Sequence, residues 1–312
     1  MAESSTAAFD PRLTPARADL AATYLAGKVR ASHFVEGRPF EVIEPQAPLR
    51  TAPSPEALLS TQALKGERVT IYDVDAEGWA WGQLESDRYV GFMPASALGD
   101  PGPAPSHKVT ALRTFVFPGP SIKLPPIEPL SFGCRLAVAQ TEGPWVITAS
   151  RGYIPACHID ALTAAEEDFV AVAERFLGVP YLWGGKTSLG LDCSGLVQIA
   201  LTACGLACPR DADMQEQALG EAVVPSTGIS NLQRGDLIFW NGHVAFVRDA
   251  ASLIHANAFH MAVAIESIGE ATARIRAAGS EITSIRRIGE AQPTRLDINR
   301  AAAFRSHSGD PA

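Results

Sequence analysis

The chain has 312 residues, of which 46% are hydrophobic and 19% are charged, and its formal net charge is −8. That length predicts two or three domains, and that composition is typical of a folded globular protein. Phosphate backbones and anionic membranes bind concentrated basic surfaces. Because the chain is acidic and has no Lys/Arg run, we expect neither a nucleic acid nor a membrane as its partner.

The N-terminal residues MAESSTAAFD lack a basic start followed by an apolar segment, so no secretory signal is predicted. Five cysteines at irregular spacing are atypical of a disulfide framework. We therefore expect a cytoplasmic protein with reduced thiols, without a metal site or a cofactor. Four of the five cysteines are interpreted as ordinary small side chains: Cys134, Cys157, Cys204 and Cys208.

The first predicted element is a short amphipathic helix over residues 12–26, ended by Gly27. Together with its lead-in, this helix makes up a predicted N-terminal segment of residues 1–36 that packs onto the next domain. The apolar positions that predict it are Leu13, Ala16, Leu20 and Tyr24.

Two β-rich stretches follow, in which short apolar runs alternate with turn clusters. In the first stretch, the predicted strands include Phe40–Ile43, Val69–Val74 and Trp79–Leu84. Both stretches end in the same order, with a Trp strand, a turn, an aromatic strand and a closing Ala-Leu. This weak repeat of about 60 residues has the size of a small barrel. We predict barrels over residues 37–101 and 106–162, joined by a Pro/Gly linker.

The remaining chain predicts an α+β domain over residues 163–296 and a loose tail over residues 297–312. Its helices precede its strands. The predicted helices are Ala164–Leu177 and Cys193–Cys204, and the predicted strands are Asp236–Trp240, His243–Arg248 and Leu253–Asn257.

Cys193 is the candidate nucleophile, because Asp192 stands where a helix N-cap belongs and Cys193 would begin that helix. Unpaired amides and the helix dipole favour an anion there, so we expect a lowered thiol pKa. The same amides could hold a developing oxyanion. Glycines at positions 184, 185 and 190 would let another part of the chain approach closely.

Two histidines on neighbouring predicted strands are candidates for the base and its orienting group. Asn241-Gly242 is a strong hairpin signal. His243 and His255 each lie six residues from Asp249, so a hairpin centred there would place them directly opposite each other. One imidazole could then take the thiol proton while the other fixes its tautomer. His260, beyond the strand, is predicted to be exposed.

These motifs resemble those of the NlpC/p60 cysteine peptidases. The similarity covers residues 164–292 and includes YLWGGKTSLGLDCSG, RGDLIFW, and the two segments that contain His243 and His255. The resemblance implies a papain-like α+β fold with a triad of Cys193, His243 and His255. It further implies that Tyr181 assists the oxyanion. Two other residues, Asp192 and Ser194, match positions that touch the amino end of the substrate.

The preceding repeats resemble the bacterial SH3-like barrels of the γ-D-glutamyl-diamino-acid dipeptidyl-peptidases, which act in muropeptide recycling. That branch cuts between γ-D-Glu and meso-diaminopimelate or L-Lys in peptides with a free N-terminal L-Ala. By position, Glu56 and Tyr89 would hold the ammonium, and the first barrel would close one end of the cleft. Arg210 and Asp211 are further candidate substrate contacts, although Ala212 stands where such relatives carry Ser.

Two other functions remain open from the sequence. The same catalytic fold could serve a secreted wall endopeptidase or an amidase that cuts muramoyl-L-alanine. Alternatively, the barrels could bind wall peptide beside an inactive catalytic domain. The segment Gly185-Lys186-Thr187 does not make a phosphate loop, because Pro180 stands where that motif needs glycine.

Overall fold

The computed structural model describes residues 9–223 and 231–289. An N-terminal segment, two β-rich domains and an α+β domain follow one another in the predicted order. The predicted tail over residues 297–312 lies outside the described residues. The longest described helix has eleven residues, and no described helix has the length and hydropathy needed to cross a membrane.

The described part of the N-terminal segment forms no α-helix over residues 12–26, so that prediction is wrong. It contains strand β1 (Leu20–Ala22), a 3₁₀ turn (Thr23–Leu25) and strand β2 (His33–Val35), which runs parallel to β1. Pro15 explains the difference, because a proline inside a helix lacks the N–H that the helix needs. Its carbonyl instead accepts a hydrogen bond from the last residue of β1, which folds the segment back on itself.

The first β-rich domain is one antiparallel sheet of seven strands. They are β3 (Arg38–Val42), β4 (Gln46–Arg50), β5 (Leu59–Leu64), β6 (Arg68–Val74), β7 (Trp79–Leu84), β8 (Val90–Pro94) and β9 (Leu98–Gly99). Their order in the sheet is β5-β4-β8-β7-β6-β3-β9. Alternate side chains such as Leu49 and Met93 fill its core. The predicted strands Phe40–Ile43, Val69–Val74 and Trp79–Leu84 correspond to β3, β6 and β7 and are confirmed to within two residues.

The second β-rich domain has shorter strands, which are β10 (His107–Val109), β11 (Arg113–Val116), β12 (Glu128–Ser131), β13 (Arg135–Leu136), β14 (Val138–Glu142), β15 (Trp145–Thr148), β16 (Tyr153–Pro155) and β17 (Ile159–Ala161). They form three small sheets, of orders β13-β10-β17, β11-β12 and β14-β15-β16. The predicted β content is present, although one continuous sheet is not formed among these residues.

The repeat predicted from the sequence is visible where the two β-rich domains end. In both, a Trp strand pairs with the next strand, a proline precedes a 3₁₀ turn, and a last short strand follows. The prolines are Pro94 and Pro155, and the turns are Ala95–Ala97 and Ala156–His158. The similarity of sequence therefore corresponds to a similarity of local structure.

The last domain packs helices against one six-stranded antiparallel sheet of order β20-β25-β21-β22-β23-β24, which confirms the α+β prediction. Its helices are α1 (Phe169–Glu174), α2 (Cys193–Ala203), α3 (Ala212–Ala218) and α4 (Ile268–Ala277). Its strands are β18 (Lys186–Thr187), β19 (Gly190–Leu191), β20 (Glu221–Ala222), β21 (Leu237–Trp240), β22 (His243–Val247), β23 (Ser252–Asn257), β24 (Ala262–Ser267) and β25 (Ile282–Arg287). Helix α1 is shorter than predicted, because the side chain of Asp168 caps it at Val170 and Ala171.

Helix α2 is enclosed by protein on almost every side, and all of its residues except Thr202 are buried. Its apolar side chains pack with Val244, Phe246 and Ile254 of the sheet in one core. A helix that is buried all round cannot shift without breaking packing on several faces. The first residue of α2 is therefore held in a fixed position.

The second β-rich domain contributes to that same core through Phe132. Its side chain is 4% exposed and meets Phe176, which follows α1, edge to face with ring centroids 5.7 Å apart. The two domains therefore share a hydrophobic core, which couples their stabilities.

We expect Phe132→Ala to lower the free energy of unfolding by about 3–5 kcal/mol, because it leaves a cavity in this shared core. Phe115→Ala is the matched control, since Phe115 belongs to the same domain but is 50% exposed. Urea unfolding followed by tryptophan fluorescence measures both variants. Equal losses of stability in the two variants would contradict the shared core.

Candidate active site

The nucleophile helix begins as the sequence predicts. The carboxylate of Asp192 accepts a hydrogen bond from Gly195 N–H at 2.7 Å and caps α2, and Cys193 is the first helical residue. The sulfur of Cys193 lies 4.0 Å from the carbonyl oxygen of Gly242, at the start of β22. Backbone N–H groups of Val244 and Ser194 also face it. The thiol therefore lies against the residues that flank His243.

The expected lowering of the thiol pKa is wrong for the free protein. Burial and the negative charge of Asp192 raise the pKa of Cys193 to about 12, against the smaller opposing effect of the Val244 and Ser194 amides. The helix start favours an anion, but desolvation of a thiol that is 6% exposed outweighs it. Cys193 is therefore a protonated thiol at neutral pH and needs a base at the moment of attack.

His243 is the candidate for that base, and its Nε2 lies 2.8 Å from Nδ1 of His255. The predicted pairing of the two histidines is confirmed, but the predicted register is wrong. Phe246 lies opposite Ile254 in the β22–β23 ladder, and the same register places His255 opposite Ala245. The histidines are thus diagonal neighbours on one face, a separation that long side chains can still bridge.

Glu266 and Arg274, which are not among the residues predicted from the sequence, also lie at the site. Oε1 of Glu266 lies 2.6 Å from Nε2 of His255, and Arg274 forms an ion pair with the same oxygen. His255 lies opposite Ala264 in the β23–β24 ladder, so Glu266 is its diagonal neighbour. The alternating segment Ala262–Ser267 was the signal that could have revealed this strand.

The protonation of the two rings follows from the contacts. Although burial opposes it, the hydrogen bond from His255 and the charge of Arg274 lower the pKa of Glu266, so its carboxylate is ionised and only accepts. His255 must then donate from Nε2 and, as a neutral ring, accept at Nδ1 from His243 Nε2–H. Burial, the repulsion that would arise if both rings were protonated, and the charge of Arg274 lower the pKa of His243 to about 3, against the opposing charge of Glu266. His243 is therefore neutral, and its lone pair lies on Nδ1, the ring nitrogen that is not bonded to His255.

Tyr181 lies beside the nucleophile, as the resemblance implies. Its backbone N–H bonds the carbonyl of Met261. Burial, together with the charges of Cys193 and Asp192, raises the pKa of its phenol, so the hydroxyl remains a donor. With the first amides of α2, that hydroxyl is suited to stabilise an oxyanion.

The glycines before the nucleophile do permit the predicted close approach. Gly184 has a φ of +75°, and a Cβ at this position would lie 2.4 Å from the carbonyl oxygen of Leu59 in the first β-rich domain. A Cβ on Gly185 would lie 2.4 Å from the carbonyl oxygen of Gly190. The loop is therefore pressed between the first domain and the strand that leads to Cys193.

Arg210 does not have a free N–H group in this structure, so its role as a substrate contact stays a prediction. Its guanidinium is 1% exposed, and all five of its N–H groups are used within the protein. The acceptors are Thr61 Oγ1 at 2.8 Å, Asp192 Oδ1 at 2.9 Å and Oδ2 at 2.8 Å, Ser194 Oγ at 2.9 Å and the Gly185 carbonyl at 3.1 Å. Asp192 and Ser194 are buried partners of this cation, which gives them a positioning role in the free protein.

Tyr89 and Asp211 meet at the edge of the site. The Tyr89 hydroxyl donates to Asp211 Oδ2 at 3.0 Å, and Arg12 of the N-terminal segment donates to the same oxygen at 2.9 Å. Glu56 is exposed and hydrogen-bonded to Ser54 within its own turn, so the structure does not pair it with Tyr89. Ala212 starts α3 without a hydroxyl.

The remaining histidine candidate, His260, has its described hydrogen bonds with Asn257 and not with His243 or His255. His260 is exposed, as predicted, and bonds Asn257. All five cysteines are free. In the ranges 9–223 and 231–289, no group of three or more His, Cys, Asp or Glu side chains is arranged so that it could hold a metal ion.

Comparison with known families agrees with this geometry. Residues 178–279 match the model of the NlpC/P60 family, and residues 49–98 match the bacterial dipeptidyl-peptidase SH3 domain. A crystal structure of an NlpC/P60 family protein from Bacillus cereus superposes with a TM-score of 0.68 at 22% identity, over 80% of this chain and 99% of that one. This last similarity concerns the fold.

Two relatives have names that state an activity. The γ-D-glutamyl-L-lysine dipeptidyl-peptidase of Bacillus cereus is 28% identical over 230 residues, which are 64% of this chain and 67% of that protein. Dipeptidyl-peptidase 6 of Lysinibacillus sphaericus is 37% identical over 107 residues, which are 34% of this chain and 38% of that protein.

The buried thiol at the start of α2, the two hydrogen-bonded imidazoles on the adjoining sheet and these family matches together identify a cysteine peptidase. Within that class, the catalytic domain is an NlpC/P60 domain, and an SH3-like domain of the bacterial dipeptidyl-peptidase type precedes it.

The pKa values predict how Cys193 reacts. In His243→Ala, the thiolate must form without a base, and a pKa near 12 leaves only about one thiol in 10⁵ ionised at pH 7. We therefore expect alkylation of Cys193 by iodoacetamide to be at least about tenfold slower than in the wild type. It should also rise about tenfold per pH unit between pH 7 and 10.

His33→Ala is the matched control, because it removes an exposed histidine outside the catalytic domain. Cys157, which is exposed, serves as the internal standard for the reagent. A rate that levels off near pH 8 in His243→Ala would show a thiol of ordinary pKa and contradict the expected profile.

Proposed function

We propose that this enzyme is a dipeptidyl-peptidase that hydrolyses the bond between γ-D-Glu and a diamino acid in peptidoglycan-derived peptides with a free N-terminal L-Ala. The observation that carries the proposal is the contact of Tyr89 in the SH3-like domain with Asp211 in the catalytic domain. This contact places a hydroxyl and a carboxylate together beside the nucleophile helix. The activity for which the Bacillus cereus relative is named supports the choice of bond.

The reaction follows from the protonation states. Nδ1 of His243 takes the thiol proton while the sulfur of Cys193 attacks the γ-carbonyl carbon of D-Glu. The oxyanion that forms faces Tyr181 and the first amides of α2. The C–N bond then breaks, and His243 returns the proton to the amine of the diamino acid. Water attacks the resulting thioester, gives its proton to His243 and releases the dipeptide, after which the thiol is restored.

The specificity for a free amine rests on charge. An ammonium that leaves water needs a counter-charge in the pocket. Around Arg12 there are three carboxylates, those of Asp10, Asp211 and Asp213, so this corner keeps an excess of negative charge. Burial raises the pKa of Asp211, against the charge of Arg210 and the bond from Tyr89. An ammonium bound beside Asp211 would favour its ionised form.

Action on released peptides in the cytoplasm belongs to the same proposal. The support for it is indirect and consists of five free thiols in one chain. Detection of the native protein in the cytosolic fraction, with no clearing of intact sacculi by the purified enzyme, is the expected result. Clearing of sacculi, or release of L-Ala from muramoyl peptides, would favour a wall endopeptidase or an amidase.

We expect hydrolysis of L-Ala-γ-D-Glu-meso-diaminopimelate or of its L-Lys counterpart, and loss of hydrolysis in Cys193→Ala. Acetylation of the N-terminal amine should lower kcat/KM by about 10- to 100-fold or more, because a charged hydrogen bond contributes about 1.5–3 kcal/mol. Chromatography of the released diamino acid measures both substrates. Equal turnover of the free and acetylated peptides would refute the selection of a free amine.

The pair that holds the ammonium has its own test. Tyr89→Phe and Asp211→Asn should each raise KM for the free peptide about tenfold while changing KM for the acetylated peptide little, since each removes one polar contact. Tyr24→Phe is the matched control, because that hydroxyl lies on an exposed tyrosine. Glu56→Gln tests the pairing expected from the sequence. A KM effect confined to Glu56→Gln would assign the ammonium to Glu56 instead.

A further inference from the structure

The hydrogen-bonded pair of His243 and His255 extends to a third side chain, that of Glu266. His255 is 1% exposed, and each of its ring nitrogens has a single partner among the described residues: His243 at Nδ1 and Glu266 at Nε2. We propose that Glu266 is a positioning residue for the reaction, whose Oε1 selects the tautomer of His255 and thereby frees Nδ1 of His243 for the thiol proton.

Two neutral imidazoles that share a hydrogen bond can adopt two arrangements. In one, His255 carries its proton on Nε2, accepts from His243, and leaves the lone pair of His243 on Nδ1. In the other, His255 carries its proton on Nδ1 and donates to His243, whose own proton must then occupy Nδ1. Only the first arrangement provides a base for Cys193.

Glu266 separates these arrangements in energy. An ionised carboxylate has no proton to donate, so it stabilises only the ring that donates to it from Nε2. In the opposite arrangement, a carboxylate oxygen would face the lone pair of Nε2 at 2.6 Å, a repulsive contact in a buried place. The carboxylate therefore selects the productive arrangement before substrate arrives.

Arg274 fixes the carboxylate in that orientation. It forms an ion pair with Oε1, the same oxygen that meets His255, and its guanidinium lies 4.4 Å from the centre of the Phe259 ring. The side chain of Glu266 is 11% exposed. The charged or titratable groups that face His255 are His243 from β22, Glu266 from β24, Arg274 from α4 and His260 from the turn before β24.

The roles of the acceptor oxygen and of the charge can be separated by substitution. In Glu266→Gln, an amide oxygen at the position of Oε1 still accepts from both His255 and Arg274, so the tautomers should remain and kcat should fall less than about tenfold. In Glu266→Ala no acceptor remains, and kcat should fall about 100-fold with KM changed less than twofold. Glu281→Ala is the matched control, because it breaks the exposed pair with Arg276.

The decisive measurement is of the rings themselves. Nitrogen-15 shifts of labelled histidines, assigned with single histidine variants, should show His243 and His255 both protonated at Nε2 in the wild type and in Glu266→Gln. In Glu266→Ala, the His255 signals should move towards the Nδ1-protonated form. Alkylation of Cys193 at pH 7 should slow in parallel, and it needs no substrate, so this test is independent of which peptide the enzyme cuts.

Three results would overturn the proposal. A wild-type His243 protonated at Nδ1 would do so whether or not any variant folds. Unchanged tautomers and kcat in Glu266→Ala would show that Glu266 selects nothing. A loss of kcat as large in Glu266→Gln as in Glu266→Ala would assign the effect to charge instead of to the acceptor.

Discussion

The site depends on one buried cation. Arg210 gives all five of its N–H groups to acceptors in the nucleophile helix, the glycine loop and the first β-rich domain. Its pair with Asp192 is desolvated on both sides, so the removal of either partner would leave an uncompensated charge in the interior. Because Asp192 also caps α2 and holds Gly184 N–H, the position of the sulfur and the shape of the loop beside it are set together.

Two features of the buried site determine its chemistry: desolvation sets the protonation states, and hydrogen-bond geometry sets the position of the lone pair on His243. Desolvation keeps Cys193 protonated and both imidazoles neutral, so the resting site carries no thiolate that could oxidise readily. The protonation states alone do not decide which nitrogen of His243 has the lone pair, and the hydrogen-bond geometry does. A chain of acceptors from Glu266 through His255 leaves one lone pair on His243. The reactivity of the site therefore depends more on the direction of its hydrogen bonds than on the pKa of Cys193.

Local signals in the sequence predicted most of the catalytic domain. The cap at Asp192, the helix from Cys193 and the hairpin at Asn241-Gly242 depend on neighbouring residues, and each was found as predicted. The register of the two histidines was missed because the hairpin centre lies one residue beyond Asp249. Contacts across long stretches of chain, such as the one from Arg12 to Asp211, leave no local pattern, so the role of the N-terminal segment could not be predicted.

The contact between Gly184 and the Leu59 carbonyl has a consequence for the history of such enzymes. A side chain at position 184 would collide with the neighbouring domain, and Thr61 of that domain satisfies a donor of the buried arginine. The peptidase domain and the first β-rich domain therefore depend on each other for packing and for hydrogen bonding. A lineage that discarded the β-rich partner would have to find another acceptor for that guanidinium, or admit water beneath the nucleophile.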